Sequence, residues 1–138
     1  MHIANFYVTF VAYLELPGQQ DKNDARSMTN LFEAIKTIAS ENPEGFTVKI
    51  PELEFVTSGY IVAYIETQNC FGDEGLRKVI EHAEHHDKIV GGWLNEQNEQ
   101  FYFDSSQVFQ TKDEAIEFGK QQKQLAIFDM NTFSEIRL

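Results

Sequence analysis

Three histidines crowd one short stretch of this chain. His82, His85 and His86 are interleaved with Glu81, Glu84 and Asp87. Imidazoles and carboxylates together are the donor set of zinc and related cations. His82 and His86 stand four apart, so on a helix both rings reach one ion from one face. His85 points nearly opposite the core stripe of that helix. The order Glu-His-Ala-Glu-His-His is not the HExxH of zinc proteases, and nothing nearby in the sequence completes a tetrahedron. Histidines in the last turn of a helix also favour its dipole, more so when protonated. The expectation is solvated histidines, with His82 and His86 as the metal candidates, no tight metal site and no cofactor.

Cys70 lies just before the same helical pattern. A thiol near a helix N-terminus can have a lowered pKa and act as a nucleophile. Its base is missing, because the histidines sit at the far end of that helix, and a helix of about 15 residues is roughly 22 Å long. An ordinary semi-buried thiol is expected. Ser58 sits in Thr57-Ser58-Gly59-Tyr60, but the nucleophile elbow needs glycine two residues to either side, and these positions are Val56 and Tyr60. Ser58 is therefore read as a turn residue and Gly59 as one requiring positive φ. Gly91-Gly92 beside Trp93 reads first as a bulge or a close packing contact. A ligand approaching the sheet there, with Trp93 as a stacking wall, is the competing reading. No GxGxxG, P-loop, CxxC or EF-hand pattern is present.

These residues must be positioned by ordinary elements. Residues 89–104 read IVGGWLNEQNEQFYFD, two apolar runs around a polar break, the pattern of a β-hairpin. Along it Trp93 and Ile89 take one face and Val90 and Leu94 the other. Phe101 and Phe103 share a face, with Tyr102 and Asp104 opposite. Residues 3–14 predict a long strand, apolar on both sides. Residues 24–40 predict a helix, because Met28, Leu31, Phe32, Ile35 and Ile38 recur at steps of three and four. Residues 46–50 alternate as a half-buried strand that Pro51 ends, and residues 60–65 read as a central strand. Residues 73–87 predict a second helix capped by Asp73, with Leu76, Val79, Ile80 and Ala83 inward. Thr111 and Glu114 form a capping box for a third helix to about residue 122. Strands over 125–129 and 133–138 follow, the last with Ile136 and Leu138 inward.

The predicted order is β-α-β-β-α-β-β-α-β-β. The fold class is α+β: one domain over residues 1–138, with a mixed or mainly antiparallel sheet of about five to seven strands packed with three helices. The predicted core is Phe6, Phe10, Leu31, Phe32, Ile35, Val62, Leu76, Ile80, Trp93, Phe103, Ile116, Ile127 and Phe128.

With 138 residues and 42% of them hydrophobic, the chain buries a real core and is not expected to be disordered. Eleven basic against 22 acidic residues give a net charge of −11. That balance disfavours nucleic-acid backbones and anionic membranes and suits a basic protein partner or simple solubility. One cysteine allows no intramolecular disulfide, which fits a reducing compartment. The apolar opening, residues 1–16, lacks a basic n-region and a small-residue cleavage site and is too short to span a bilayer. The expectation is a cytoplasmic protein without a signal peptide.

From Gly45 onward, several pieces resemble a pattern of small uncharacterised proteins of bacterial mobile elements, meaning conjugative elements and phages. They are Gly45-Phe46-Thr47-Val48, Thr57-Ser58-Gly59-Tyr60-Ile61-Val62, Gly91-Gly92-Trp93-Leu94, Tyr102-Phe103-Asp104, Asp113-Glu114-Ala115 and Leu125-Ala126-Ile127-Phe128-Asp129. The resemblance covers about two thirds of the chain and departs at Lys49-Ile50-Pro51-Glu52, where a Gly-bearing turn is expected. It implies a cellular context and carries over no activity.

Three functional expectations result. The first is a non-enzymatic cytoplasmic accessory protein that acts through a protein partner or as a homo-oligomer, with neither nucleic acid nor membrane. The second is a small enzyme or ligand-binding domain with a pocket near the hairpin, using Tyr60, Trp93, Tyr102 and Asp104. The third is an acidic mimic of DNA, which needs carboxylates ordered along one face. Here Glu33, Asp73, Glu96, Asp113 and Glu135 are spread through the chain without a repeating spacing.

Overall fold

The steps of three and four between Leu31, Phe32, Ile35 and Ile38 produce the expected helix, α1 (Asp24–Glu41), with all four side chains buried. The computed structural model describes residues 24–138, with side chains from residue 29 onward. The strand expected over residues 3–14, with Phe6 and Phe10, lies outside the described residues. Asn42 ends α1 by donating its side-chain amide to the Ile38 carbonyl at 3.0 Å.

Strand β1 (Gly45–Lys49) stops before Pro51, as expected. Then come β2 (Glu54–Phe55) and β3 (Tyr60–Ala63), followed by a 3₁₀ turn (Ile65–Thr67) and β4 (Cys70–Phe71). The run expected to be strand through residue 65 thus leaves the sheet early, and Ile65 is exposed. Gly59 takes the positive φ its turn demands, 92°. Helix α2 (Gly72–Glu84) is not capped by Asp73. Its N-cap is Phe71, which makes no side-chain cap bond. Asp73 lies in the first turn, favourable to the dipole, and its carboxylate meets Lys36 at 3.2 Å.

The hairpin forms as β5 (Ile89–Asn95) and β6 (Gln100–Phe109) around a loop of residues 96–99. Helix α3 (Lys112–Gln121) is capped by Thr111, whose hydroxyl oxygen accepts from Glu114 N and whose proton goes to Glu114 Oε1 at 2.8 Å. Strands β7 (Ala126–Asp129) and β8 (Ser134–Arg137) complete the chain. At its end Leu138 is partly exposed, not inward, though its Cδ1 lies over Gly119.

The described residues form one eight-stranded sheet of order β2-β1-β5-β6-β3-β7-β8, with β4 also on β6. Every pairing is antiparallel. With three helices beside it, this is the α+β class. The two strands beyond the expected pattern, β2 and β4, are two residues long each.

Side chains of directly paired residues share a face, so the register sorts the core. Phe46 pairs with Gly92, Gly92 with Phe103 and Val48 with Val90. Phe46, Val48, Val90 and Phe103 pack beneath α1 and α2 in one cluster with Ile35, Leu76 and Ile80. Farther along β6, Phe109 pairs with Tyr60, and both pack beneath α3 with Val62, Ala115 and Ile127. Positions 103 and 109 of β6 have the same parity, so the three described helices cover one face of the sheet. Ile116 and Phe128, expected in the core, are half-buried. Phe128 pairs with Ile61, on the face away from the helices, and packs edge-on to Phe133.

Candidate functional site

The hairpin register decides where its aromatic residues point. The loop of residues 96–99 sets Asn95 opposite Gln100, and so Trp93 opposite Tyr102 and Gly91 opposite Asp104. Phe71 of β4 pairs with Tyr102 from the other side. Trp93, Tyr102 and Phe71 therefore form a row on the face that carries no helix among the described residues. The Trp93 and Tyr102 rings stack at 5.1 Å, and Phe71 lies 5.7 Å from Tyr102. Trp93 is 45% exposed and Phe71 48%, while Tyr102 is half-buried. Trp93 was an expected core residue. It is surface because it shares parity with Tyr102 and Asp104 instead of with Phe101 and Phe103.

The two glycines make room on opposite faces. A Cβ at Gly92 would stand 2.4 Å from the Phe46 ring and 2.6 Å from that of Phe101, two rings that stack at 6.2 Å. A Cβ at Gly91 would stand 2.7 Å from Asp104 Oδ1. Their role is close packing, and Gly91 gives the Asp104 carboxylate its place. That carboxylate accepts from the Ser106 hydroxyl at 2.8 Å. Burial raises its pKa above the ordinary carboxylate value, against the opposing effect of the Ser106 bond. The Tyr102 hydroxyl accepts from Asn98 of the loop at 2.8 Å.

Tyr60 is not part of this row. It lies on the helix-covered face, packed under α3 and paired with the far end of β6. An open cavity of about 470 Å³ does lie against the hairpin, but on the helix side, where Leu94, Phe101 and Phe103 meet Ala39, Pro43 and Leu76. None of Tyr60, Trp93, Tyr102 and Asp104 lines it. Cys70 is buried, and its thiol pKa is raised chiefly by burial and further by Asp104, with Lys78 opposing. The thiol expected to be semi-buried is thus a core residue.

The histidines gather a set of partners the sequence did not reveal. Thr67 pins the 3₁₀ turn to β6, its hydroxyl oxygen accepting from Ser105 N at 2.9 Å. This brings Glu66 to the end of α2, where its Oε1 lies 2.6 Å from His82 Nε2. On the other side of that ring, Nδ1 lies 2.8 Å from the Oγ of fully buried Ser105. His86 Nδ1 donates to the His82 carbonyl oxygen at 2.7 Å, and the two rings stack at 3.7 Å. Tyr64 walls the cluster, its ring 5.0 Å from that of His82 and 4.9 Å from that of His86. The Tyr64 hydroxyl donates to Asp87, and its pKa is pushed up by burial first and by the Asp87 bond second. His85 faces away and donates to the Glu81 carbonyl. Glu66 was missed because it stands sixteen residues before His82 and belongs to a turn without periodicity.

A Glu66–His82–Ser105 chain has the composition of a hydrolytic triad. It is not built as one. Ser105 is fully buried on a strand, so no substrate carbonyl reaches its hydroxyl. The cluster offers donor atoms for ligation and hydrogen bonding, and the hairpin offers a contact surface. Comparison with protein-family models, curated proteins and solved structures returns no match to this chain.

Proposed function

We propose that this protein is a non-enzymatic cytoplasmic accessory factor that binds a basic protein partner through the row of Phe71, Tyr102 and Trp93. The observation that carries the reading is three large rings in line on the helix-free face, two of them nearly half exposed. Contiguous exposed aromatics mark interaction surfaces, and Trp and Tyr are the residues that most often dominate binding energy. Asn98 and the Tyr102 hydroxyl it donates to supply polar groups beside the row, in keeping with a polar rim.

Charge selects the partner. The chain carries −11, and the hairpin loop contributes Glu96 and Glu99 with no basic residue. Asp73 and Glu74 follow Phe71 after a single glycine. Such a surface repels nucleic acid and anionic lipid and attracts a cationic protein. Among the described residues no helix is long and apolar enough to cross a membrane. The resemblance to mobile-element proteins supports an accessory role and adds no chemistry. A ligand-binding reading rests on the helix-side cavity at Leu94 and Phe101, and an apolar fluorescent dye would report occupancy there.

Trp93 is the only tryptophan, so its fluorescence reports on the proposed surface directly. Titration with lysine- and arginine-rich peptides, and of the protein against itself, should shift the emission to shorter wavelength as the ring leaves water. Tyr102→Ala should keep the unfolding midpoint and weaken the association. A folded Tyr102→Ala protein that associates as well as the parent would remove the row from the binding surface.

A further inference from the structure

We infer that Glu66, His82 and His86 form a binding site for a zinc-like divalent cation, with a fourth position open to water. The site is independent of the aromatic row and lies on the other face of the sheet. One ligand atom from each of the three residues lies within 4.8 Å of the other two. They come from neighbouring segments: His82 from the last turn of α2, His86 from the turn just past its C-cap His85, and the carboxylate from the 3₁₀ turn. Two imidazoles and one carboxylate are the donor set of open zinc sites. Imidazole favours zinc and its transition-metal neighbours over magnesium or calcium.

The second observation is what stands behind the rings. A metal-bound histidine usually donates its other ring N–H to an oxygen, which fixes the tautomer and aims the ring. His86 Nδ1 does this to the His82 carbonyl, and a carbonyl only accepts, so Nε2 keeps its lone pair. His82 Nδ1 faces the Oγ of Ser105, itself held on a buried strand and fastened to Thr67. Without a cation, the His82 Nε2 proton occupies the 2.6 Å contact with Glu66. On loading, the cation takes that place and the neutral ring changes tautomer, Nε2 giving its proton to solvent while Nδ1 takes one up. The Ser105 hydroxyl turns to accept from Nδ1. An ion lies in the plane of the imidazole that binds it, whereas these planes are parallel within 1°. Loading therefore tilts the exposed His86 ring out of the stack, while His82 stays on Ser105.

The test is calorimetric titration of the full chain with zinc chloride at neutral pH, with circular dichroism to show that each variant is folded. One-to-one binding is expected, with no binding of magnesium. His86→Ala removes an exposed ring, leaves the packed His82–Ser105 contact in place, and should abolish the binding. Glu66→Gln should weaken it, and His85→Ala should not change it. Ser105→Ala removes the group behind His82 and should weaken zinc by about 10- to 100-fold. Cobalt(II) should give the intense visible bands of a four-coordinate site in the parent and lose them in His86→Ala. No binding by the folded parent overturns the site, as does binding unchanged in both His86→Ala and Glu66→Gln. Binding that depends on His85 instead assigns the ion to the loose surface run and also overturns it.

Discussion

Asp104 carries an acidic group packed against the sheet on the face opposite the described helices. Its carboxylate is tucked against Gly91 with one hydroxyl, that of Ser106, as a donor. Burial disfavours the charged form and the Ser106 bond recovers only part of the loss. The folded pKa is thus raised above the ordinary 3.8. Between those two values the folded state binds more protons than the unfolded one, so this group lowers stability as pH rises through the window. Asn at this position keeps an acceptor for Ser106 and carries no charge. Asp104→Asn should therefore be as stable as the parent or more so at neutral pH. The difference should shrink on acidification toward the ordinary carboxylate range. Urea unfolding of both proteins across that range checks it, and a variant less stable at neutral pH would show the ionised carboxylate to be favourable. In the sequence, Asp104 was legible as a residue beside an aromatic run, but its opposite number was not. Alternation sorted each strand of the hairpin into faces, and only the loop length joined the two strands in register. That is why Trp93 was expected inside and lies outside. Glu66 was illegible for a different reason, since no local pattern reports a contact made by tertiary folding.

At the scale of elements, periodicity worked where runs were long. Helix α2 was read from Leu76, Val79, Ile80 and Ala83, and all four are fully buried. The capping box at Thr111 gave the start of α3 because a cap is a local hydrogen-bonding problem with a local answer. Strands β2 and β4 escaped because two residues have no period. The cap of α2 was misassigned because Asp73 favours a helix start from within the first turn as well as from the cap. The stripe of α2 supports a direct test. Ile80 lies on the face that packs against the sheet under α1 and α2. Removing its side chain beyond Cβ loses transfer energy and opens a cavity among rigid neighbours, and Ile80→Ala should cost about 2–5 kcal/mol. The neighbouring Glu81 is exposed, and Glu81→Ala should stay within about 0.5 kcal/mol of the parent. Urea midpoints at unchanged slope read both. An Ile80→Ala shift no larger than that of Glu81→Ala would place the α2 stripe outside the cooperative core.

Across the whole molecule the governing quantity is charge. A chain at −11 repels itself more when compact than when unfolded. Against that stand the ion pairs that added salt would also weaken. Among the described residues these are Lys36–Asp73 and Glu135–Arg137, beside the Glu66–His82 hydrogen bond. In these two pairs both partners are largely exposed, and pairs of that kind contribute little. His82–Glu66 is a short hydrogen bond at an inward ring, and mobile ions screen it poorly. The diffuse repulsion is therefore the larger salt-sensitive effect, and its sign decides the outcome. Raising sodium chloride shortens the screening length from about 10 Å at 0.1 M to about 3 Å at 1 M. The unfolding midpoint in urea should rise over that interval. Chloride is the anion to use, because sulfate would add a general strengthening of apolar burial and blur the cause. The same salt should weaken association with a cationic peptide, since that attraction is screened by the same ions. Opposite responses of stability and binding in one salt series would trace both to the acidic surface. A midpoint that falls with sodium chloride would mean that specific ion pairs outweigh the net charge in holding the fold.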